Sequence, residues 1–117
     1  MKWTLVPTTQ WERAQKWYDK KRPKELCAVL HNLGRYLDLL NSFPNSMSIG
    51  AGFIHTEQAG VIAIDQSGGG KNLQETRLYV YADDTTRKVY LVTIGNKQTQ
   101  RNDVLISKAF AEHIKNA

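Results

Sequence analysis

The chain of 117 residues contains one cysteine, three histidines and three prolines, and the first two scarcities each remove a class of chemistry. A lone Cys27 excludes an internal disulfide framework and a multi-cysteine metal site. Set in an apolar helical pattern, it reads as a buried structural thiol. His31, His55 and His113 lie far apart with no i, i+4 pair, which argues against zinc chemistry, and none has an acid or base partner in sequence. No metal or cofactor is expected. Apolar runs fall short of the roughly 18–20 residues of a membrane-spanning helix. The opening MKWTLVPTTQ lacks the apolar core and small-residue cleavage site of a secretory signal. The expectation is a cytoplasmic protein with no membrane partner. The run Gly68-Gly69-Gly70-Lys71 lacks the full nucleotide-binding spacing GxxxxGK[ST], so it reads as a flexible connection in which Lys71 is a candidate phosphate contact.

What remains is an ordinary globular composition, 41% hydrophobic and 23% charged, enough for one domain over residues 1–117 with a core of its own. There is no internal repeat, linker or low-complexity tract. Sixteen basic against eleven acidic residues give a net charge of +5. Residues 1–41 hold eight basic and four acidic groups, residues 77–117 seven and four, and the middle one lysine and three acids. A basic excess favours polyanionic partners: RNA, DNA or an acidic protein.

Residues 76–100, TRLYVYADDTTRKVYLVTIGNKQTQ, carry the plainest pattern. Arg77, Tyr79 and Tyr81 alternate with Leu78, Val80 and Ala82. Across the polar loop Ala82–Lys88, Tyr90, Val92 and Ile94 alternate with Val89, Leu91 and Thr93. Period-two alternation predicts a half-buried β-hairpin with one face on the core and the other offering aromatic and cationic groups. Upstream, residues 2–6 suit a short strand stopped by Pro7. Thr9 and Glu12 fit a capping box for a helix over 9–21, with Trp11, Ala14, Trp17 and Tyr18 on its apolar face. Lys20, Lys21 and Arg22 either complement that helix's dipole or face a phosphate. Pro23 suits the first turn of a second helix, in which Leu26, Leu30, Leu33, Leu37 and Leu40 join Cys27, Val29 and Tyr36 in an apolar stripe. Gly34 would allow close approach of the first helix, and the two form an antiparallel hairpin. Asn41–Ser46 ends that hairpin. Residues 47–59 give little beyond a short strand around Gly52–Thr56. A buried strand over 60–66 and a last helix over 103–115, capped by Asn102 or Asp103, complete the order β-α-α-β-β-β-α. The class is α+β, with helices on a largely antiparallel sheet of three to four strands.

This order, with the hairpin feeding the basic segment GNKQTQR, resembles the RelE/ParE superfamily of bacterial toxins from type II toxin–antitoxin pairs, and most nearly its phage-derived, HigB-like branch. TRLYVY (76–81) stands where that family has "yRi.yf", VYLVTIGNKQTQRND (89–103) where it has a strand ending in "FvKKtqktp", and VLISKAFAEHI continues as the terminal helix. The chain departs from the pattern at Gly95, where the family has phenylalanine, at Gln98, its second lysine, and at Ala63 and Asp65, its strand Glu and Arg.

The resemblance implies a metal-independent, ribosome-dependent mRNA endoribonuclease held in check by a cognate antitoxin. In such enzymes the ribose 2′-OH attacks the adjacent phosphate while cationic side chains stabilise the phosphorane. It assigns Arg77 as the anion clamp and Lys97 as the retained lysine, the two catalytic candidates. Gln98, Thr99, Gln100 and Arg101 become RNA-contact candidates with Lys71. Tyr79 and Tyr81 either stack on a base or pack beneath a helix. For Arg77 the competing role is an ion pair with an acid such as Asp65; for Lys97 it is a solvated loop position. Two other functions fit the same fold: a ParE-like protein that binds gyrase through the helical hairpin, and a degenerate binding module without catalysis.

Overall fold

Period-two alternation in residues 76–96 yields the predicted hairpin, and the computed structural model, which describes residues 2–43, 46 and 49–117, builds the chain around it. The elements are β1 (Thr4–Pro7), α1 (Thr9–Lys21), α2 (Pro23–Ser42), β2 (Ile54–Thr56), a 3-10 turn (Gln58–Gly60), β3 (Val61–Asp65), β4 (Thr76–Asp83), β5 (Lys88–Asn96) and α3 (Gln100–Lys115). The predicted turn residues Pro44 and Asn45, together with Met47 and Ser48, lie outside the described residues.

The α+β class is as predicted, but the sheet has five strands and is mixed rather than three to four and largely antiparallel. Its order is β1-β5-β4-β3-β2. The pairings β2–β3, β3–β4 and β4–β5 are antiparallel, and β1 joins β5 in parallel. The added edge strand is possible because β1 leads into α1, which crosses back over the sheet, so the hairpin strand it pairs with can run in the same direction. Pro7, which has no N–H to give a ladder, sits at the end of this edge strand.

Both faces of the sheet are covered. Trp11 and Tyr18 of α1 and Leu26, Val29, Leu33, Tyr36 and Leu40 of α2 pack on Ile62, Ile64, Leu78, Val80 and Leu91. On the reverse face, Val104, Ala111 and Ile114 of α3 close over Val61, Ala63, Tyr79 and Tyr81. The face expected to be offered to a partner is thus mostly core. Spacings of three and four select the α2 stripe, at 26, 29, 33, 36 and 40. Leu30 and Cys27 fall outside it and are exposed, so Cys27 is not the buried thiol the pattern suggested. Gly34 also faces outward, with open space where a Cβ would be, and brings no helix close. Trp17, predicted on the inner face of α1, is 50% exposed.

One irregularity sets the arrangement of β5. Tyr79 pairs with Thr93 but Val80 pairs with Leu91, so Val92 is an extra residue in the strand, a β-bulge. The bulge reverses the alternation. Ile94 joins Val89 and Leu91 on the helical-hairpin face, and Thr93 moves to the side of Tyr79, the opposite of the unbroken pattern. Thr8 fixes the bulge: its Oγ1 donates to the carbonyls of Leu91 and Val92 at 2.8 and 3.0 Å, and its own N–H donates to Leu91 O at 3.1 Å. The same hydroxyl accepts the Trp11 N–H at 3.2 Å. The helix cap is therefore Thr8, one residue before the predicted Thr9.

Replacing Thr8 by alanine removes the cap and the hydroxyl bonds to the bulge, leaving Leu91 O only the backbone N–H of residue 8 and Val92 O no bond from it. A loss of about 2 kcal/mol in urea unfolding is expected, at the upper end for a cap, with Thr8→Ser restoring most of it. A loss no larger than that of a surface substitution would show that the bulge does not depend on Thr8.

Candidate functional site

Strand pairing fixes which side chains share a face, because directly opposed residues point the same way. Asp65, Arg77 and Gly95 are successive partners across β3, β4 and β5, on the face that carries α3. Two inter-strand spacings of ~4.8 Å make this row about 10 Å long. It lies at the end of the sheet where α3 begins, and the residues around it make the candidate site.

At one end, His55 Nε2 and Asp65 Oδ2 are 2.7 Å apart. His55 pairs with Ala63, so Asp65 is its diagonal neighbour on the same face. The Ser67 N–H donates to Asp65 Oδ1 at 2.8 Å. Burial alone would raise the Asp65 carboxyl, but the bonds from Ser67 and His55 outweigh it and hold the group below its ordinary value of 3.8. The imidazole stays partly exposed. This pair was not visible in sequence, because the register of β2 lies in the stretch that gave no pattern. With that register known, His55 and Asp65 two steps off a direct cross-strand pair would have been the signal.

Arg77, at the centre, does not pair with Asp65. Its guanidinium lies 3.6 Å from Glu57 Oε1 and 3.5 Å from Glu75 Oε1, while Nε is buried without a partner among the described residues. Both separations exceed the roughly 2.7–2.9 Å of a strong charge-assisted bond, so the two acids surround the cation without closing on it.

At the other end, the Asn96–Thr99 turn presents Lys97 and Gln98. Asn96 Oδ1 accepts the N–H groups of Gln98 and Thr99 at 2.9 and 3.1 Å, and Thr99 Oγ1 accepts the Asn96 N–H at 3.0 Å. These local side-chain bonds define the turn. Lys97 stands on the ridge between two depressions. One, of ≈ 700 Å³, is lined by Arg22, Gln74, Glu75, Asn96, Lys97 and Gln98. The other, of ≈ 590 Å³, is lined by Gln58, Lys97, Gln100, Arg101, Val104 and Leu105.

Gln100 and Arg101 belong to the first turn of α3, which starts three residues before the predicted 103. Neither Asn102 nor Asp103 caps it. Asp103 instead turns back onto the strand: Thr99 Oγ1 donates to its Oδ2 at 2.7 Å, and a Cβ on Gly95 would collide with that carboxylate and with Thr99 Oγ1. Glycine here makes room for an acid. Burial lifts the Asp103 carboxyl above its ordinary 3.8, and the Thr99 hydroxyl offsets this only in part. Burial and then the Asp103 carboxylate raise the phenol of Tyr79, whose hydroxyl has no partner among the described residues.

Of the residues singled out in sequence, Arg77, Lys97, Gln98, Gln100 and Arg101 gather at this end of the sheet. Thr99 is there too, with its hydroxyl committed to Asp103. Tyr79 is 0% exposed and Tyr81 8% exposed; both lie under α3, with Lys115 Nζ over the Tyr81 ring, and neither presents a face to a base. Lys71 is elsewhere, in a separate depression beside α2 with Lys24, Cys27 and His31. No described helix is long and apolar enough to cross a membrane. A scan against protein-family models gives no match for this chain, and a search of the curated proteins gives none either.

The two acids make opposite pH predictions. A lowered carboxyl contributes stability that is present above 3.8 and lost as pH falls through its folded value; a raised one costs stability that appears as pH rises through 3.8. In urea unfolding at pH 7, Asp65→Asn should be less stable than the parent and Asp103→Asn more stable. Both differences should shrink as pH is lowered through the carboxylate range. The reverse order at pH 7 would refute this assignment of strain.

Proposed function

We propose that this protein is a RelE-like toxin that cuts messenger RNA, and that its working surface is the row from His55–Asp65 through Arg77 to Lys97. One observation carries the reading. A histidine held by a carboxylate shares one sheet face with an arginine, and an exposed lysine stands in the turn just past the end of that face, beside open depressions and the cations Arg22 and Arg101. Such a strip matches a ribose–phosphate step, which needs a proton acceptor at one side and positive charge at the other.

In this reading the 2′-OH loses its proton to His55, whose orientation Asp65 fixes, and the oxygen attacks the neighbouring phosphorus. Arg77 and Lys97 stabilise the added negative charge on the phosphorane. The P–O5′ bond breaks, the leaving oxygen takes a proton from solvent water and His55 returns its proton to solvent, giving a 2′,3′-cyclic phosphate and a 5′-hydroxyl end. Gln98, Gln100 and Arg101 hold the flanking strand. The expected ribosome dependence and the inhibitory antitoxin belong to the same proposal; the basic charge of this surface suits an acidic antitoxin segment.

A second reading, an RNA-binding module without catalysis, has its own support in the two glutamates beside Arg77. If they hold the guanidinium against phosphate, the surface binds and does not cut.

Induced expression in a bacterium separates these readings. Growth arrest with messages cut in phase with codons is expected from the parent chain and is abolished by Arg77→Ala with Lys97→Ala. His55→Ala should lower cleavage by about 10²-fold or more, the range for loss of a general base. Arrest without cut messages would favour the binding module, arrest with DNA damage a gyrase-directed ParE-like protein, and no growth effect in several hosts would exclude toxin action.

A further inference from the structure

A second cavity opens on the outer edge of β5, around the corner from the proposed cutting surface. β1 pairs with β5 only over Lys88–Leu91. Beyond the bulge, the edge Thr93–Asn96 is flanked by α1 on one side and the start of α3 on the other. They leave a space of ≈ 300 Å³, at the lower end of small-molecule sites, roughly 300–1,000 Å³.

Its walls are chemically distinct from each other. On one side stand the aromatics of α1. Trp17 is exposed, which is costly for so large an apolar ring on a helix whose other aromatics are buried, and its ring meets Tyr18 edge-on, with centroids 5.0 Å apart at 71°. Half of Trp17 remains open to solvent. At the back sits Asp103, 6% exposed, with Thr93, 1% exposed, nearby on the strand. Asp103 lines this space together with Tyr18 of α1 and with Thr99, whose hydroxyl it accepts at 2.7 Å. Among the described residues the Asp103 carboxylate takes one side-chain hydrogen bond, from Thr99 to Oδ2, which leaves acceptor capacity for the donors of a ligand. Gln10, whose Nε2 reaches Thr93 Oγ1 only at 3.5 Å, and Asn96 bring carboxamides to the rim.

We infer that this cavity binds a guanine base, stacked on Trp17 with its Watson–Crick edge on the Asp103 carboxylate. Guanine presents two adjacent donors, N1–H and N2–H, which fit the two oxygens of one carboxylate. Its O6 and N7 are acceptors suited to the amide NH₂ of Gln10 or Asn96. Adenine and cytosine each set a ring-nitrogen acceptor against the carboxylate, and uracil flanks its one donor with two carbonyls. A flat base on an exposed indole is the usual way a splayed single strand is held. Gly95 is what seats Asp103 in the cavity, since any side chain there would displace it.

The inference rests on the proposed RNA surface only for the source of the base. Lys97 is one residue from Asn96, so an RNA strand crossing the Lys97–Arg101 segment could place a guanine in the cavity; a free guanine nucleotide would present the same edge. The test reads the Trp17 indole N–H and the backbone amides of residues 93–96 in ¹⁵N-labelled protein. Guanosine and GMP should shift them saturably, and AMP, CMP and UMP should bind about tenfold more weakly or worse, within the range a good bidentate pair gives. Asp103→Asn should abolish that preference, and Trp17→Ala, a change at an exposed position, should weaken all binding. Equal responses to the four nucleotides, a preference for AMP, or no shift at Trp17 would overturn the inference. Hexauridylate with and without one guanine separates the two sources. If the guanine raises affinity about tenfold in the parent and not in Asp103→Asn, the base comes from RNA. If GMP binds and neither hexamer does, the cavity is a free-nucleotide site and the RNA reading falls. If Lys97→Ala with Arg101→Ala weakens both hexamers alike and guanine has no effect, the RNA reading stands and the base cavity falls.

Discussion

The Thr8 hydroxyl, shared between the bulge carbonyls of β5 and the first turn of α1, is the contact on which the site geometry depends. Without an extra residue at Val92, the alternation of β5 would run unbroken. Thr93 would then point into the helical-hairpin core, and Ile94 would lie under α3. With the bulge pinned, Ile94 completes the core and Gly95 comes opposite Arg77 on the α3 face. Asp103 can then rest on the glycine while Lys97 emerges at the turn beyond. A single polar side chain thus couples the packing of two layers to the placement of the charged row. Bulges commonly re-aim side chains near functional surfaces, and this one does so by one position.

Charge is distributed in keeping with that geometry. The acids near the row each have a partner or a counter-charge: Asp65 is bonded to His55 and Ser67, Asp103 to Thr99, and Glu57 and Glu75 flank Arg77 at 3.6 and 3.5 Å. Lys97, Gln98 and Arg101 are left facing solvent beside the depressions. Asp103 is the exception to economical design, a buried acid with a single hydroxyl to support it. A buried acid with a raised carboxyl that also lines a cavity is a candidate ligand contact.

Much of the architecture was legible from periodicity. The boundaries of both N-terminal helices, Pro23 at the start of the second, and the β4–β5 hairpin follow from spacing and capping chemistry. The errors have physical causes. The first strand was expected over residues 2–6, but its parallel pairing with β5 was not, because pairing across eighty residues leaves no local trace. A bulge inserts one residue without altering composition, so the faces of Ile94 and Thr93 were exchanged. Leu30 and Cys27 fit the helical stripe by type but stand outside its 26–29–33–36–40 line. Tyr79 and Tyr81 lie with Arg77 on one face, as expected, but α3 covers that face. At the site, the cationic turn after β5 could be read residue by residue. The His55–Asp65 pair and the Asp103–Gly95 seat are tertiary meetings over distances that spacing rules do not span.

The central claim is that RNA lies across the α3-side row at the end of the sheet. Photo-crosslinking of a thiouridine-substituted oligonucleotide to the intact chain, with the linked peptides mapped by mass spectrometry, tests it most directly. Crosslinks on the peptides containing His55 and Lys97–Arg101 are predicted. Crosslinks confined to Lys71 in its separate depression beside α2, or no crosslinks at all, would contradict it.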